Sequence, residues 1–412
     1  MADKTPETPE KKATPASNPS SPPADANAKT PEKAAGPGSK PSSPAKADTA
    51  PSSPAPADPA PADPAPTDPA PADPAPADPA PSAGGVLPAD HWTQEPLPED
   101  NDSVLGESLR TETDSLRSSI FNYRTIHGRR YHSEVGNAEY WGSNDEQQME
   151  SMDLNHYGLT LGIGNKLFLA PLDEDKLQRV LDIGTGTGIW AIDFADQFPQ
   201  AQVTGTDISP IQSSWVPPNL KFEIEDCTLS WTFPEASMDY VHMRWLNGSI
   251  TDWTAFFKEA YKTCRPGGWA ESSESSGLIL SDYEPIPDTT ALGQWSKVFA
   301  EGGKKIGRSF TIVEDGTQRK AMEEAGFVNI QEYNYQRPLG SWPKDPVLKE
   351  MGSLAQAAWE ADIEGYILFI ANTLGWTTEQ IQVYIAHLRY EMRSGKYRGY
   401  IPQKVVWGQR PE

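Results

Sequence analysis

Residues 2 to 85 of this 412-residue chain hold no valine, isoleucine, leucine, methionine or aromatic side chain. Such a segment has no apolar surface to offset the entropy of ordering a backbone, so residues 1–90 are expected to form a disordered tail. It takes 24 of the 40 prolines, which leaves the remainder with the proline content of an ordinary globular domain. Cysteine is scarce. Cys227 and Cys264 are too few for a disulfide framework and lack the paired spacing of a zinc site, so no metal is expected, and a reducing compartment, cytoplasmic or nuclear, fits. No apolar run reaches the roughly 18 residues of a membrane span, and the Lys-, Pro- and Ala-rich start has no apolar core for a secretory signal. Positive charge is short as well. A formal net charge of -23 offers phosphates no electrostatic footprint, which argues against direct nucleic-acid binding. An acidic surface would suit basic partners such as histone tails, but ordinary solubility explains it more simply.

The tail contains a five-residue repeat from Ala57 that sets Asp58, Asp63, Asp68, Asp73 and Asp78 between prolines. Such a tract favours polyproline II and reads as a semi-rigid spacer; a docking site for a Pro-binding module is the alternative, but no basic anchor accompanies the repeat. Residues 91–120 read as a linker and 121–412 as one large domain.

That domain is organised around Arg179 to Ala195, RVLDIGTGTGIWAIDFA. Val180, Leu181 and Ile183 form a short apolar run like a buried strand; Gly184, Gly186 and Gly188 make a turn open to a close ligand; a helix begins at Ile189. Dinucleotide dehydrogenases also carry a glycine turn, but theirs is G-x-G-x-x-G facing a diphosphate. Here the order is D-x-G-x-G-x-G. Asp182 would sit badly beside a diphosphate and well beside an ammonium and a sulfonium, the charges of S-adenosylmethionine, so that cofactor is expected in place of NAD. Asp207, followed by Ile208, ends the next expected strand 23 residues after Gly184, where an acid reaches both ribose hydroxyls. The alternating KFEIED runs into Asp226 and Cys227, a third strand end near an adenine edge. The candidate cofactor-binding residues are therefore Asp182, Gly184, Gly186, Gly188, Asp207, Ile208, Asp226 and Cys227.

Strand and helix patterns then alternate as a doubly wound α/β sheet requires. Strands are expected near 179–184, 202–207, 220–226, 238–243, 268–273, 328–335 and 404–407, with Arg265-Pro-Gly-Gly as the turn into the fifth. Helices are expected over 252–263, 292–305 and 318–325. The stripe of Trp253, Phe256, Phe257, Ala260 and Tyr261 reads as core. A helix start falls at 114–122, and apolar Met149, Met152, Leu154, Leu159 and Leu161 among polar residues predict one or two helices over 145–168. Residues 346–394 read as two helices inserted before the last strand, serving an acceptor pocket, an oligomer contact or packing alone.

From Asn122 to about Ser276 the chain resembles the class I S-adenosylmethionine-dependent methyltransferases, and more narrowly the fungal LaeA-like group, which includes regulators of secondary metabolism and tailoring enzymes. The residues that carry the narrower resemblance are YWGSNDEQQMESMDLNHY (140–157), VLDIGTGTGIWAID (180–193), TDISPIQ (206–212), WVPPN (215–219) and RPGGW (265–269). The resemblance implies a mostly parallel seven-stranded sheet whose last two strands form a hairpin. It also implies a helical N-terminal cap over 121–170 that covers the cofactor and helps build the acceptor pocket, with His156 and Tyr157 near the methyl group. The implied function is methyl transfer to a small-molecule acceptor of fungal secondary metabolism; the alternative is a nuclear regulator working through protein partners.

Methyl transfer from a sulfonium is an in-line displacement that needs positioning and water exclusion, with a base only where the acceptor must lose a proton. His156, His132 and His242 are the base candidates, and His156 is the preferred catalytic residue, although a capping contact would explain it equally well. His242 sits at a strand end, facing a ligand or buried and satisfied. His132 follows a basic loop and reads as solvated. Acceptor specificity is expected from segment 121–168 together with 346–394.

Overall fold

The computed structural model describes residues 84–97, 123–133 and 140–412. Most of the expected tail, the later linker and the helix start at 114–122 lie outside the described residues. The first element is a short helix, α1 (Asp90–Gln94), followed by a hairpin of β1 (Tyr123–Ile126) and β2 (Arg129–Ser133). A single long helix, α2 (Glu146–Gly162), comes next, its first turn capped by Asp145, whose carboxylate accepts from the Gln148 amide.

The sheet is then built from β3 (Arg179–Ile183), β4 (Gln202–Asp207), β5 (Leu220–Ile224), β6 (Met238–Arg244) and β7 (Cys264–Ser275), joined by parallel pairing, with α3 (Ile189–Gln197) and α4 (Trp253–Thr263) among the connections. After α5 (Ala291–Ile306) and α6 (Thr317–Ala325) come β8 (Val328–Pro338), the inserted helices α7 (Pro346–Leu374) and α8 (Thr378–Ser394), and β9 (Tyr400–Gln409). The strand order is β5-β4-β3-β6-β7-β9-β8, and β9 alone runs against its neighbours. Successive connections from β3 lead outward through β4 and β5, and then the chain returns to the other side of β3 as β6. That reversal leaves a crevice at the carboxyl ends of β3 and β6, where ligands of open α/β sheets bind.

Both faces of the sheet are covered, so β3 and β6 at its centre are buried along nearly all their length, as a parallel sheet demands. Leu181, Ile183, Val241 and Met243 pack toward α4 and α6; Val180, Val203 and Tyr240 pack toward Trp190 and Phe194 of α3. A third apolar cluster lies among the helices, joining Trp295 and Phe299 of α5, Trp359 and Tyr366 of α7 and Leu388 of α8. Helix α2 packs on α7 through polar groups: the Ser151 hydroxyl donates to the Ala358 carbonyl at 2.7 Å, and the Asn155 amide donates to the Tyr366 hydroxyl at 2.6 Å. The buried face of α2 is Gln148, Ser151, Asn155, His156 and Leu159, which explains its weak apolar periodicity. No helix among the described residues is long and apolar enough to cross a membrane.

The boundary expected at residue 90 is corrected. Val86, Leu87 and Ala89 pack against the helical cluster, and the Leu87 amide donates to Gln294 at 2.8 Å. Trp92, expected in the linker, is 2% exposed and meets Tyr384 of α8 edge to face, with ring centroids 4.9 Å apart. The physical reason is simple: these are the first side chains after Met1 with substantial apolar surface to bury. Trp92→Ala is therefore expected to cost about 3–5 kcal/mol of stability by urea denaturation. Removing residues 1–83 should leave the midpoint unchanged, and removing 1–97 should lower it; equal midpoints for the two truncations would refute the docking of this segment.

Candidate active site

A cavity of about 130 Å³ opens at the carboxyl ends of β3, β4 and β6, with α2 across its mouth. Its floor is the glycine turn. Gly184, Gly186 and Gly188 all take positive φ, at 66°, 59° and 83°. At Gly188 the requirement is double: a Cβ there would lie 2.3 Å from the Phe222 ring, and the residue starts α3 in the left-handed region. Gly186 and Gly184 line the cavity; Gly188 supports the turn from behind.

Asp182 is buried at the end of β3. One carboxylate oxygen meets His242 Nδ1 at 2.7 Å and the other accepts from the Thr185 hydroxyl at 2.6 Å. The His242 ring stacks on Trp190 with centroids 3.7 Å apart. Burial holds this imidazole below its ordinary pKa against the upward pull of Asp182, so the ring is neutral with Nδ1–H donating. Its Nε2 has no hydrogen-bond partner among the described residues, and His242 lines the cavity.

Asp207 is half-buried in the same wall. Its oxygens accept from the Gly186 amide at 2.9 Å and the Ser209 amide at 3.0 Å. Burial, opposed by these bonds, pushes its pKa up to about 6. Ile208 and Cys227 also line the cavity, and burial pushes the Cys227 thiol up, so it stays protonated at neutral pH. Asp226 departs from expectation: its carboxylate turns back onto the Thr228 amide (2.9 Å) and hydroxyl (2.6 Å), and Glu225 takes the place in the lining.

His156 faces the cavity and is buried, but both ring nitrogens are occupied. Nδ1 accepts from Arg244 at 3.1 Å and Nε2 donates to Asp193 at 2.9 Å. Burial lowers its pKa despite Asp193. The expectation of His156 as a catalytic base is corrected on that ground: no lone pair remains for an acceptor proton. Tyr157 is 53% exposed and lies outside the lining. His132, expected in solvent, is buried in β2, where Nδ1 donates to the Ser133 carbonyl at 2.7 Å and Nε2 accepts from the Tyr140 amide at 3.0 Å.

Sequence reasoning missed Tyr140, Asn155, Arg244, Trp245 and Arg308, all in the lining. Arg244 and Trp245 directly follow the apolar run of β6, the same position that drew attention to Asp182 and Asp207, and that signal was available. Trp245 also lines a second cavity of about 70 Å³, walled mainly by aromatic rings including Trp141, Trp295 and Trp359. The arrangement thus offers an acidic, glycine-floored cradle beside an aromatic pocket, and no group of three His, Cys, Asp or Glu among the described residues would hold a metal ion.

A family model described as "Methyltransferase domain" matches residues 156–332. The chain is 36% identical over 308 residues to methyltransferase pytC of Aspergillus terreus, covering 74% of this chain and 94% of that one. It is 35% identical to the secondary metabolism regulator LAE1 of Cochliobolus heterostrophus, over 55% of this chain and 74% of that one. Among solved structures, a phosphoethanolamine N-methyltransferase 2 of Haemonchus contortus in complex with S-adenosylhomocysteine is similar over 63% of this chain and 53% of its own. That likeness has 18% identity and a TM-score of 0.39.

Gly188→Ala should destabilise the fold by about 2–4 kcal/mol, combining ring overlap with a strained backbone. Gly164→Ala, also at positive φ but with open space around its Cβ, should lose only the backbone share of about 1–2 kcal/mol. Urea denaturation of both variants checks the difference.

Proposed function

We propose a function on one premise: the chain belongs to the S-adenosylmethionine-dependent methyltransferase family that its fungal relatives represent. The proposed reaction is transfer of the donor's methyl group to a small-molecule acceptor. The observation that carries the donor assignment is the cavity at the sheet's reversal, where Asp207 stands beside a glycine floor. The residues fit the group. Gly184 and Gly186 leave the backbone bare, Asp207 has lone pairs for ribose hydroxyls, and Ile208 and Cys227 line the wall where an adenine would lie. Asp182 favours the positive end by its charge, while its oxygens hold His242 and Thr185. S-adenosylmethionine supplies an electrophilic methyl group when bound, so the chain's own task is to orient the acceptor and exclude water.

The strand order supports a direction for the site. A donor whose ribose met Asp207 at the end of β4 and whose adenine lay toward β5 would turn its reactive end toward β6, and the second cavity lies on that side, past Trp245. Trp141, from the N-terminal segment, and Trp359 and Tyr366, from α7, line it. This supports acceptor selection by segment 121–168 and by α7; α8 packs on α5, α7 and α1 and contributes nothing to either cavity. Where the acceptor is a hydroxyl, His242 Nε2 is the ring nitrogen free to take its proton. His156 is a positioning residue that holds Arg244.

The likeness to LAE1 favours a second reading, regulation through a protein acceptor or partner. Incubation with methyl-labelled donor in a cell extract separates the two: label in the small-molecule fraction supports the first, label in protein the second.

Calorimetry should show S-adenosylmethionine binding and NAD binding more weakly; the reverse order would overturn the donor assignment. Asp207→Ala should weaken donor binding by about 1–3 kcal/mol. Because the ribose bonds need the ionised carboxylate and its pKa is raised to about 6, affinity should be constant above that pH. It should fall below it, by at most about tenfold per pH unit. Asp207→Asn should abolish this dependence.

A further inference from the structure

Arg337, at the end of β8, is fully buried and lines the second cavity. Its Nη2 donates to Asn155 Oδ1 at 2.5 Å, while Nε and Nη1 have no hydrogen-bond partner among the described residues. No carboxylate among the described residues forms an ion pair with it. A guanidinium stays charged in a protein, and a buried charge without a counter-charge is among the costliest arrangements in a fold. Compare Arg129, also buried, which has two aspartates.

Two further polar atoms in the same wall have no partner among the described residues, Trp245 Nε1 and Asn247 Oδ1. The idle set is therefore three donors and one acceptor, set among indole and phenyl rings. Flat apolar ligands match such rings, and an oxyanion matches unpaired donors around a cation.

Resting on the acceptor site proposed above, we propose that the second cavity takes a planar aromatic or conjugated acceptor bearing an oxyanion, carboxylate or phenolate, that pairs with Arg337. The anion anchors one end of the ligand in the helical cluster. The other end reaches Trp245, the residue common to both cavities, so the methyl-accepting atom is presented to the donor cradle. Asn155 joins the two sites: its amide holds the Tyr366 hydroxyl, its carbonyl holds Arg337, and it lines the donor cavity itself.

The test uses the full-length chain and three probes of one shape: 2-naphthoate, its methyl ester and 2-naphthylmethylamine. Titration calorimetry should show the acid binding at least tenfold tighter than the ester, with the amine weakest. 2-Naphthol should bind more tightly as pH rises through its own pKa, which identifies phenolate as a second accepted source of the charge. Arg337→Met should bring acid and ester to the same affinity. Asn155→Asp, which supplies a carboxylate to the guanidinium from inside the protein, should weaken acid binding by more than tenfold and spare the ester. Equal titrations of acid and ester in the unaltered chain, or none from either, overturn the proposal without recourse to a variant. Donor binding is titrated separately. Intact donor binding without acid preference overturns this inference alone; acid preference without donor binding supports the pocket and removes the methyltransfer reading.

Discussion

A buried cluster of three charges decides how the N-terminal segment meets the inserted helix. Arg129 of β2 donates through Nε and Nη2 to both oxygens of Asp145, each at 2.7 Å, and through Nη1 and Nη2 to Asp362 at 2.6 and 2.8 Å. Burial works against all three charges. The paired carboxylates nevertheless hold the guanidinium above its usual pKa, and Arg129 holds Asp145 below the usual carboxylate range. Removing one partner from such a set typically costs about 3–5 kcal/mol, while well-packed apolar replacements of all three can be neutral. Its contribution is therefore better described as geometric than as stabilising. Asp362 leaves helical geometry, at φ -147° and ψ 50°, and its carboxylate accepts from the Gly365 amide at 2.9 Å, restarting the helix it interrupts. Trp359 and Tyr366 lie on either side of that kink, and both face the second cavity.

The cavity at the sheet's reversal is governed by different physics. There the sheet supplies bare amides and carboxylates at strand ends, and no helix has to move to form the cradle. The polar side chains of α2 close it: Thr187 donates to Asp153 at 2.7 Å, and His156 bridges Asp193 of α3 and Arg244 of β6. One helix thus touches the cradle on one face and, through Asn155 and Ser151, α7 on another. The walls of the two cavities share this support, which is a reason for a polar α2 in a position where an apolar helix would pack more simply.

How much of this was legible depended on the range of the interactions. The sheet could be read because each buried strand is a short apolar run between turn residues, and all seven expected strands exist; β7 is longer because Cys264 already pairs with Met238 ahead of the Arg265-Pro-Gly-Gly segment. The hairpin of β1 and β2 went unread although His127 and Gly128, both at positive φ, are the central pair of a tight turn. In the cradle, the position of Asp207 in the cavity wall was legible because it follows from the end of β4. Asp226 was not, because a two-residue link to Thr228 outcompetes the strand-end position. The chemistry of His156 depends on Asp193 and Arg244, 37 and 88 residues away, and no local pattern reports such partners. The Arg337 pocket is likewise made by residues from distant parts of the chain.

The corner after β6 shows why the two cavities are not independent. Trp245 has φ of 61°, a conformation that costs a bulky residue about 1–2 kcal/mol. It persists because Glu274, buried at the end of β7, accepts from the next two amides, Leu246 at 3.1 Å and Asn247 at 3.0 Å. The turn so held sends Leu246 back over the glycine floor, where a Cβ on Gly184 would lie 2.5 Å from its Cδ2. It sends Trp245 the other way, into the wall of the aromatic cavity. One strained residue therefore both demands the first glycine of the motif and sets the boundary at which an acceptor would meet the donor. A substitution at Glu274 would release the corner and disturb both sites together, although it lines neither.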